Sequence, residues 1–252
     1  MTIGDILFEV NVIGLRLNRL LDEGGRRAIA LAQDDIKRQK ASARAAAKTK
    51  ARAKRDPRQW KLEISPGTPL SFIPAVLGGH RLLVDLFCMI TEPDSTGVPA
   101  ARHTIAVRVW TDDINLWYRP HLDAETVRDA IRAGQGRRVM LRFHFDYANP
   151  GQQGPRHHLQ IGGGQQASEF CWFPDNLKVP RFCHHPLNLL MACEFVVRTF
   201  FPNEYHAIAQ EATWRHALER AQQAYLEPYC QLQQLQITED GLKSSLLDRL
   251  WN

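Results

Sequence analysis

The sequence predicts an α+β fold, with a central, mainly antiparallel sheet flanked by helices and long helical segments at both ends. Two observations support this class. The middle of the chain holds short runs of β-branched and aromatic residues separated by Gly, Pro, Asp and Asn, so strands outnumber helices there. The two ends lack such runs and have helix-forming compositions. These shifts divide the chain into a basic helical arm at 1–58, an α+β core domain at 59–202 and a helical segment at 203–252.

The amino-terminal arm is predicted to be one long helix or two stacked helices, from Ile3 to about residue 55. Apolar residues recur in its first part at three- and four-residue spacings, namely Ile6, Leu7, Val10, Ile13, Leu17, Leu20 and Leu21. Gly24 and Gly25 favour a break after them. From Ala41 to Ala53 alanine alternates with Lys and Arg, a composition with high helix propensity and almost no apolar face.

The excess positive charge of the chain lies in one segment of this arm. This segment runs from Lys37 to Arg58 and contains a single acid, Asp56. Its ten basic residues are Lys37, Arg38, Lys40, Arg44, Lys48, Lys50, Arg52, Lys54, Arg55 and Arg58. Its net charge is +9 while that of the whole chain is +5, so the other residues sum to −4. Such a block is typical of a surface that contacts phosphate backbones, and equally of a solvated helix face or connector. The candidate nucleic-acid-binding residues are Lys48, Lys50, Arg52, Lys54 and Arg55, with Lys178 and Arg181 further along the chain.

Four strands are predicted in the first part of the core domain, and the last of them belongs to the hairpin described below. They are Trp60 to Ile64, Arg81 to Thr91, Thr104 to Trp110 and Val139 to Tyr147. A helix between the last two has Asp123 as its predicted cap and Gly134 after its end.

Helices are predicted after these strands. One covers Leu187 to Phe200, with Pro186 in its first turn and Pro202 as its end. From Glu204 to Trp251 the composition is helical, with breaks expected near Pro228 and Gly241.

A hairpin is predicted between Val139–Tyr147 and a strand from Arg156 to Ile161, because the Gly- and Pro-rich segment between them suits a long loop. Successive strand residues point to opposite faces. The apolar face is formed by Leu141, Phe143, Phe145 and Tyr147 on the first strand and by His157, Leu159 and Ile161 on the second. If these faces coincide, parity puts His144 opposite His158 or diagonal to it, near Gln160.

Two histidines beside arginines can cleave a phosphodiester without a metal. His144 and His158 would act as base on an RNA 2′-hydroxyl and as acid on the leaving oxygen, and Arg142 or Arg156 would stabilise the developing charge. These four are the candidate catalytic residues. An alternative is that the histidines only form hydrogen bonds on a wet sheet face.

A metal site is a further interpretation of the same region. His144, Asp146, His158 and a residue of 183–185 could ligate a metal, but no HxxxH, HExxH or CxxC spacing supports this. We therefore expect neither a metal nor a cofactor.

A second histidine doublet lies in the segment VPRFCHHPLNLL. His185 precedes Pro186 and is expected near the amino end of the next helix, where free N–H groups favour anions. With Lys178 and Arg181 nearby, a phosphate pocket is one interpretation, and ordinary packing at a helix entry is the other.

Several classes of protein are excluded. The glycines at 162–164 are not followed by Lys-Ser or Lys-Thr and have no βαβ context, so neither a Walker loop nor a dinucleotide fingerprint is present. No GxSxG elbow or kinase motif occurs. The longest apolar run contains Glu194 and Arg198 and is too short for a bilayer. Because the start lacks signal-peptide features and the five cysteines form no CxxC pair, we expect a cytoplasmic protein with reduced thiols and no membrane partner.

One stretch of the sequence resembles known families. A strand ending in HLQIGG, a proline-arginine segment and an apolar helix closing in FFP follow one another; the residues are Pro155, His157 to Gly163, Pro180 to Phe182 and Phe200 to Pro202. This order resembles small bacterial families from toxin–antitoxin and phage-defence neighbourhoods, the TumE-like toxins among them. The resemblance covers roughly residues 139–202, about a quarter of the chain, without the basic arm. It implies a prokaryotic defence role within a multi-protein system.

Three functional hypotheses follow. The first is a nucleic-acid-binding, non-catalytic subunit of a defence or toxin–antitoxin assembly, which contacts RNA or DNA through the basic arm and other protein subunits through its helices. The second is a scaffold subunit that binds only proteins. The third is the metal-independent ribonuclease toxin described above.

Overall fold

A computed structural model of the chain describes residues 2–49, 60–92, 103–111, 125, 138–147, 157–162 and 181–239. The helices in these ranges are α1 (Ile3–Arg16), α2 (Glu23–Thr49), α3 (Leu189–Phe200), α4 (Pro202–Gln210) and α5 (Ala212–Glu239). The strands are β1 (Lys61–Ile64), β2 (Leu70–Ser71), β3 (Ala75–Leu77), β4 (His80–Thr91), β5 (Thr104–Thr111), β6 (Arg138–Tyr147), β7 (His157–Ile161) and β8 (Arg181–Cys183). The predicted α+β class is confirmed.

All eight strands belong to one sheet, and their pairings are antiparallel. The main path is β1-β4-β5-β6-β7-β8, and β2 and β3 also pair with the long strand β4. The four predicted strands correspond to β1, β4, β5 and β6, and the predicted hairpin to β6 and β7. Sequence analysis did not find β2, β3 and β8, because strands of two or three residues are too short to show a period of two.

The hydrophobic core lies between one face of this sheet and the helices. α3 packs on β3, β4 and β5, and α1 packs on α2, α3 and α5. Ile105 and Val107 of β5 are fully buried, as are Ile13 of α1 and Leu190 of α3. The same core cluster extends to Tyr225 of α5, so helices from both ends of the chain cover the same face of the sheet.

The predicted arm consists of two helices in its described part. The break lies between Arg16 and Glu23, before the glycine pair, which falls in the first turn of α2. Gly25 is required there for another reason: a Cβ at this position would overlap the backbone carbonyl oxygen of Ser71. The α2 helix therefore begins directly against β2.

The start of α3 corrects the prediction. Asn188 is the cap, and its side-chain oxygen accepts a hydrogen bond from the backbone N–H of Met191 at 2.9 Å. Pro186 consequently lies before the helix rather than in its first turn. The Asn188 amide also donates to Glu9 of α1 at 2.8 Å, in a buried contact that ties the two helices together. Burial raises the pKa of the Glu9 carboxyl well above its ordinary value.

Two proline predictions have different outcomes. Pro202 follows the end of α3, as predicted, and is also the first residue of α4. The predicted break near Pro228 is wrong, because α5 continues through this residue to Glu239. Buried Trp214 and Tyr225 hold α5 against the core, and this packing offsets the hydrogen bond that a helical proline removes.

Some predictions fall on parts of the chain that the structure does not describe. The predicted helix from Asp123 to Gly134 lies there except for Glu125, which is helical, and so does the break near Gly241. The arm–core boundary at residues 58 and 59 also lies outside, so the division into three regions stays a prediction. No helix in the described part of the chain is both long and apolar enough to cross a membrane.

Candidate functional site

The face of the sheet that points away from the core cluster carries charged and polar side chains, and we call it the polar face. Strand pairing arranges it in three rows. The first row is Asp85, Arg108 and Arg142; the second is Phe87, Ala106, His144 and Gln160; the third is Met89, Thr104, Asp146, His158 and Cys183. The parity prediction is confirmed, because His144 pairs with Gln160 and is therefore diagonal to His158.

A buried ion pair forms part of the first row. The Arg108 guanidinium donates to both oxygens of Asp85, at 2.7 and 3.0 Å, and the Trp110 indole donates to the same carboxylate at 2.9 Å. The guanidinium lies 5.0 Å from the ring centre of Phe87 and 4.9 Å from that of Trp110. Burial raises the pKa of Asp85, and the bonds from Arg108 and Trp110 oppose that rise. This arrangement links β4 to β5, and both oxygens of the Asp85 carboxylate accept hydrogen bonds.

The third row brings a carboxylate beside the candidate catalytic histidines. Asp146 accepts a hydrogen bond from the Thr104 hydroxyl, and its Oδ2 lies 3.8 Å from Nδ1 of His144. Burial alone would raise the pKa of Asp146, but hydrogen bonding by His144 and Thr104 outweighs it and the pKa is lowered. Asp146 is therefore a carboxylate at neutral pH, and it orients the His144 ring.

The exposure of these side chains bears on the nuclease hypothesis. His158 is 2% exposed and Arg142 is 5% exposed. General acid–base catalysis requires both imidazoles within hydrogen-bond reach of the substrate. An RNA strand would reach His158 only after the chain that covers it moved. Arg156 lies outside the described residues, and the catalytic assignment of these four residues stays a prediction.

Four other histidines, His103, His157, His184 and His185, form what we call the histidine cluster. His157 lies on the core face of β7, where its ring centre is 4.9 Å from that of Tyr147 and 5.9 Å from that of Tyr229 on α5. The His184 and His185 ring centres are 4.3 Å apart, and the backbone N–H of His184 donates to the His157 carbonyl oxygen at 3.2 Å. The two doublets of the sequence thus meet in space.

Three members of the histidine cluster, His103, His157 and His184, have lowered pKa values. Burial, together with the neighbouring histidines, lowers the pKa of His157 to about 3. Burial also lowers the pKa of His103 to about 4, although its Nε2 lies 2.6 Å from the Leu187 carbonyl oxygen. Burial lowers the pKa of His184 as well. These imidazoles are neutral at pH 7 and serve as aromatic and hydrogen-bonding groups.

The structure does not bring the second doublet to an anion site at the start of α3. The first residues of this helix, Leu189 and Leu190, are fully buried, and Asn188 occupies the cap position. Arg181 is in β8, where its backbone pairs with Gln160, and Lys178 lies outside the described residues. In the described ranges, no group of three or more His, Cys, Asp and Glu side chains could hold a metal ion.

The basic segment begins within α2, which is anchored through its first half. Ala28, Ile29, Ala32 and Ile36 are buried in the core. Three residues further on, the Gln39 side chain donates to the Lys61 carbonyl oxygen at 2.7 Å and accepts from the Lys61 N–H at 3.0 Å. These two bonds fasten the helix to the edge strand β1.

Exposed basic side chains lie on both sides of this anchor along the helix. Those of Lys37 and Arg38 are 56% and 77% exposed, in surface ion pairs with Asp34 and Asp35 one turn earlier, and Arg44 is also exposed. Lys48 lies in the last turns of α2. Of the other predicted contacts, Lys50, Arg52, Lys54 and Arg55 lie outside the described residues.

Neither the Asp85–Arg108 ion pair of the polar face nor the place of His103 in the histidine cluster was predicted from the sequence. Asp85 and Arg108 each stand at a polar position of an otherwise apolar strand, in VDLF and VRVW, and this shared pattern is the signal that could have paired them. His103 precedes a strand and joins the cluster only through the sheet pairing, which no local pattern reveals.

Comparisons with protein-family models, curated proteins and solved structures give no match to this chain. The resemblance to toxin–antitoxin and phage-defence families therefore rests on the quoted residues alone and stays a prediction.

Proposed function

We propose that this chain is a nucleic-acid-binding, non-catalytic subunit of a prokaryotic defence or toxin–antitoxin assembly, and that it contacts phosphates through α2. The observation that carries the proposal is the construction of this helix. One face of its first half is buried in the core, and the part that follows Ile36 carries the exposed basic residues Lys37, Arg38 and Arg44. A rigid basic helix held on a folded domain is a suitable element for binding a phosphate backbone.

Charge distribution supports the same surface. The segment from Lys37 to Arg58 carries +9 and the remainder of the chain −4, so the attraction for a polyanion is confined to one segment. The ion pairs of Lys37 and Arg38 with Asp34 and Asp35 are exposed, and such surface pairs contribute little. Phosphates can therefore replace these carboxylates at small cost.

The polar face supports the proposal less directly. Its arginines and histidines are largely buried, with Arg108 bonded to Asp85 and His144 held beside Asp146. The exposed basic residues of α2 are therefore better placed to meet a ligand than the polar face.

Charge reversal on α2 tests the proposal. The triple variant Lys37→Glu, Arg44→Glu and Lys48→Glu should lose most of the affinity for a labelled nucleic acid, measured by fluorescence anisotropy at several salt concentrations. The slope of log K against log salt should also fall by about three, since each lost phosphate contact removes about one.

A matched control changes the same charge elsewhere. Arg19, Arg198 and Arg215 are exposed residues outside α2, and their triple replacement by Glu alters the net charge equally. This control should keep most of the affinity and the salt slope. Unchanged binding by the α2 variant would refute the proposal, and a protein that binds no nucleic acid but retains protein partners would favour the scaffold function.

A further inference from the structure

Three basic positions of α2 lie along one narrow stripe of the helix. At about 100° per residue, Lys37, Arg44 and Lys48 fall within about 40° of one another around the axis. The stripe extends over about 17 Å of helix length, at about 1.5 Å per residue. It lies on a flank of the helix away from the buried positions Ile29 and Ile36. We call these three positions the basic stripe.

The arm has no side chain on which a base could stack. Residues 23–59 contain no Phe, Tyr, Trp or His. The next residue, Trp60, is only 1% exposed and belongs to the core. Proteins that hold single-stranded nucleic acid rely on aromatic stacking in addition to positive charge. The arm therefore offers phosphate contacts without a stacking platform, which favours a duplex, whose bases are already stacked.

The residues between the basic positions are small. Ala41, Ser42, Ala43, Ala45, Ala46 and Ala47 surround Arg44, so this part of α2 is a slender helix. The major groove of B-form DNA is about 12 Å wide and admits an α-helix, whereas that of A-form RNA is deep and narrow. A slender helix with basic residues along one flank therefore matches the DNA groove and the phosphates at its edge.

We infer that the ligand of the basic stripe is duplex DNA, with α2 seated in the major groove and Lys37, Arg44 and Lys48 on the phosphates. The inference rests on the proposed function and specifies duplex DNA as the class of nucleic acid that is bound. The stretch from Lys40 to Arg58 contains no Asn or Gln, the side chains that pair with adenine. The stretch therefore provides no direct readout of adenine, and its charge supplies sequence-independent contacts with the phosphates.

Competition between three nucleic acids tests the inference. The full-length chain is titrated by fluorescence anisotropy with a labelled 20-base-pair DNA duplex, and unlabelled competitors are the same duplex, its single strand and the matching RNA duplex, at equal phosphate concentration. We expect the DNA duplex to compete at least tenfold better than either alternative. A preference for single strands or for the RNA duplex would overturn the inference while leaving the proposed function intact. Binding to none of the three would overturn both.

Variants with a larger, uncharged side chain test whether α2 enters the major groove. Ala41 borders the basic stripe, about 40° from Lys37 around the axis, whereas Ser42 lies about 140° from Lys37, and both are exposed. Ala41→Leu should weaken binding to the DNA duplex at least fivefold, because the larger side chain obstructs entry into the groove, and Ser42→Leu should leave it unchanged. Circular dichroism confirms that both variants keep the fold. Equal affinities of Ala41→Leu and the wild type would overturn the groove-bound arrangement.

Discussion

Acidification should destabilise the fold through two members of the histidine cluster, His103 and His157. Both imidazoles are held neutral by burial, with pKa values of about 4 and about 3 against an ordinary value of 6.5. Between these values and 6.5 the unfolded chain binds more protons than the folded chain. The free energy of unfolding therefore falls as the pH falls below about 6.5.

The magnitude follows from proton linkage. For each of these two histidines, lowering the pH from 7 to 5 removes about 2 kcal/mol from the free energy of unfolding, and about 4 kcal/mol together. Glu9 acts in the opposite direction, because burial raises its pKa and acidification relieves the cost of its buried charge. The contribution of the two histidines is therefore measured as the difference in the pH dependence of the unfolding free energy between the wild type and variants that lack one of them.

The assay is urea unfolding followed by tryptophan fluorescence at pH 7 and pH 5. His103→Gln retains a donor for the Leu187 carbonyl but does not titrate, and His157→Phe retains the ring contacts with Tyr147 and Tyr229. Each variant should lose about 2 kcal/mol of the pH dependence shown by the wild type. His206 is exposed, and His206→Gln serves as the matched control for the loss of a histidine.

The result that would refute this reasoning is a pH dependence that is the same in wild type, His103→Gln and His157→Phe. It would mean that these imidazoles are as easily protonated in the folded chain as in the unfolded one, and that their burial has no energetic consequence.

Three further predictions concern stability and are measured by the same unfolding assay at pH 7. Arg108→Met leaves the Asp85 carboxylate buried without its cation and should cost about 4 kcal/mol, which the added change Asp85→Asn should partly restore. Asn188→Ala removes the cap of α3 and the donor to a buried carboxyl, and should cost about 3 kcal/mol; a loss below about 1 kcal/mol would contradict the role of this contact. Gly25→Ala forces a methyl group onto the Ser71 carbonyl and should cost about 3 kcal/mol, whereas a neutral effect would show that α2 and β2 separate easily.

Much of the sheet could be predicted because the period of two is a local signal. The alternation in β6 and β7 was sufficient to place His144 opposite His158 or diagonal to it, and the register of the structure makes it diagonal. The burial of His158 could not be predicted, because alternation in a strand assigns a residue to a face but does not give the exposure of that face. The interactions of His103 and Asp85 were missed because their partners, Leu187 and Arg108, are remote in sequence.

The errors at helix ends also have physical causes. A proline was expected to break α5 at Pro228, but the burial of Tyr225 holds the helix on the core and outweighs the local preference. Pro186 was expected inside α3, but the Asn188 side chain accepts a hydrogen bond from the free N–H of Met191 and sets the start of the helix. Tertiary packing explains the helix at Pro228, and capping explains the start of α3. Hydrophobic periodicity reveals neither of these effects.

The most direct test of nucleic-acid binding is purification of the tagged chain from cells that express it naturally, with the absorbance ratio at 260 and 280 nm and sequencing of any bound nucleic acid. We expect bound nucleic acid in the wild type and its loss when Lys37, Arg44 and Lys48 are all replaced by Glu. A wild-type protein free of nucleic acid, or one that keeps its nucleic acid after these replacements, would contradict the function proposed for α2.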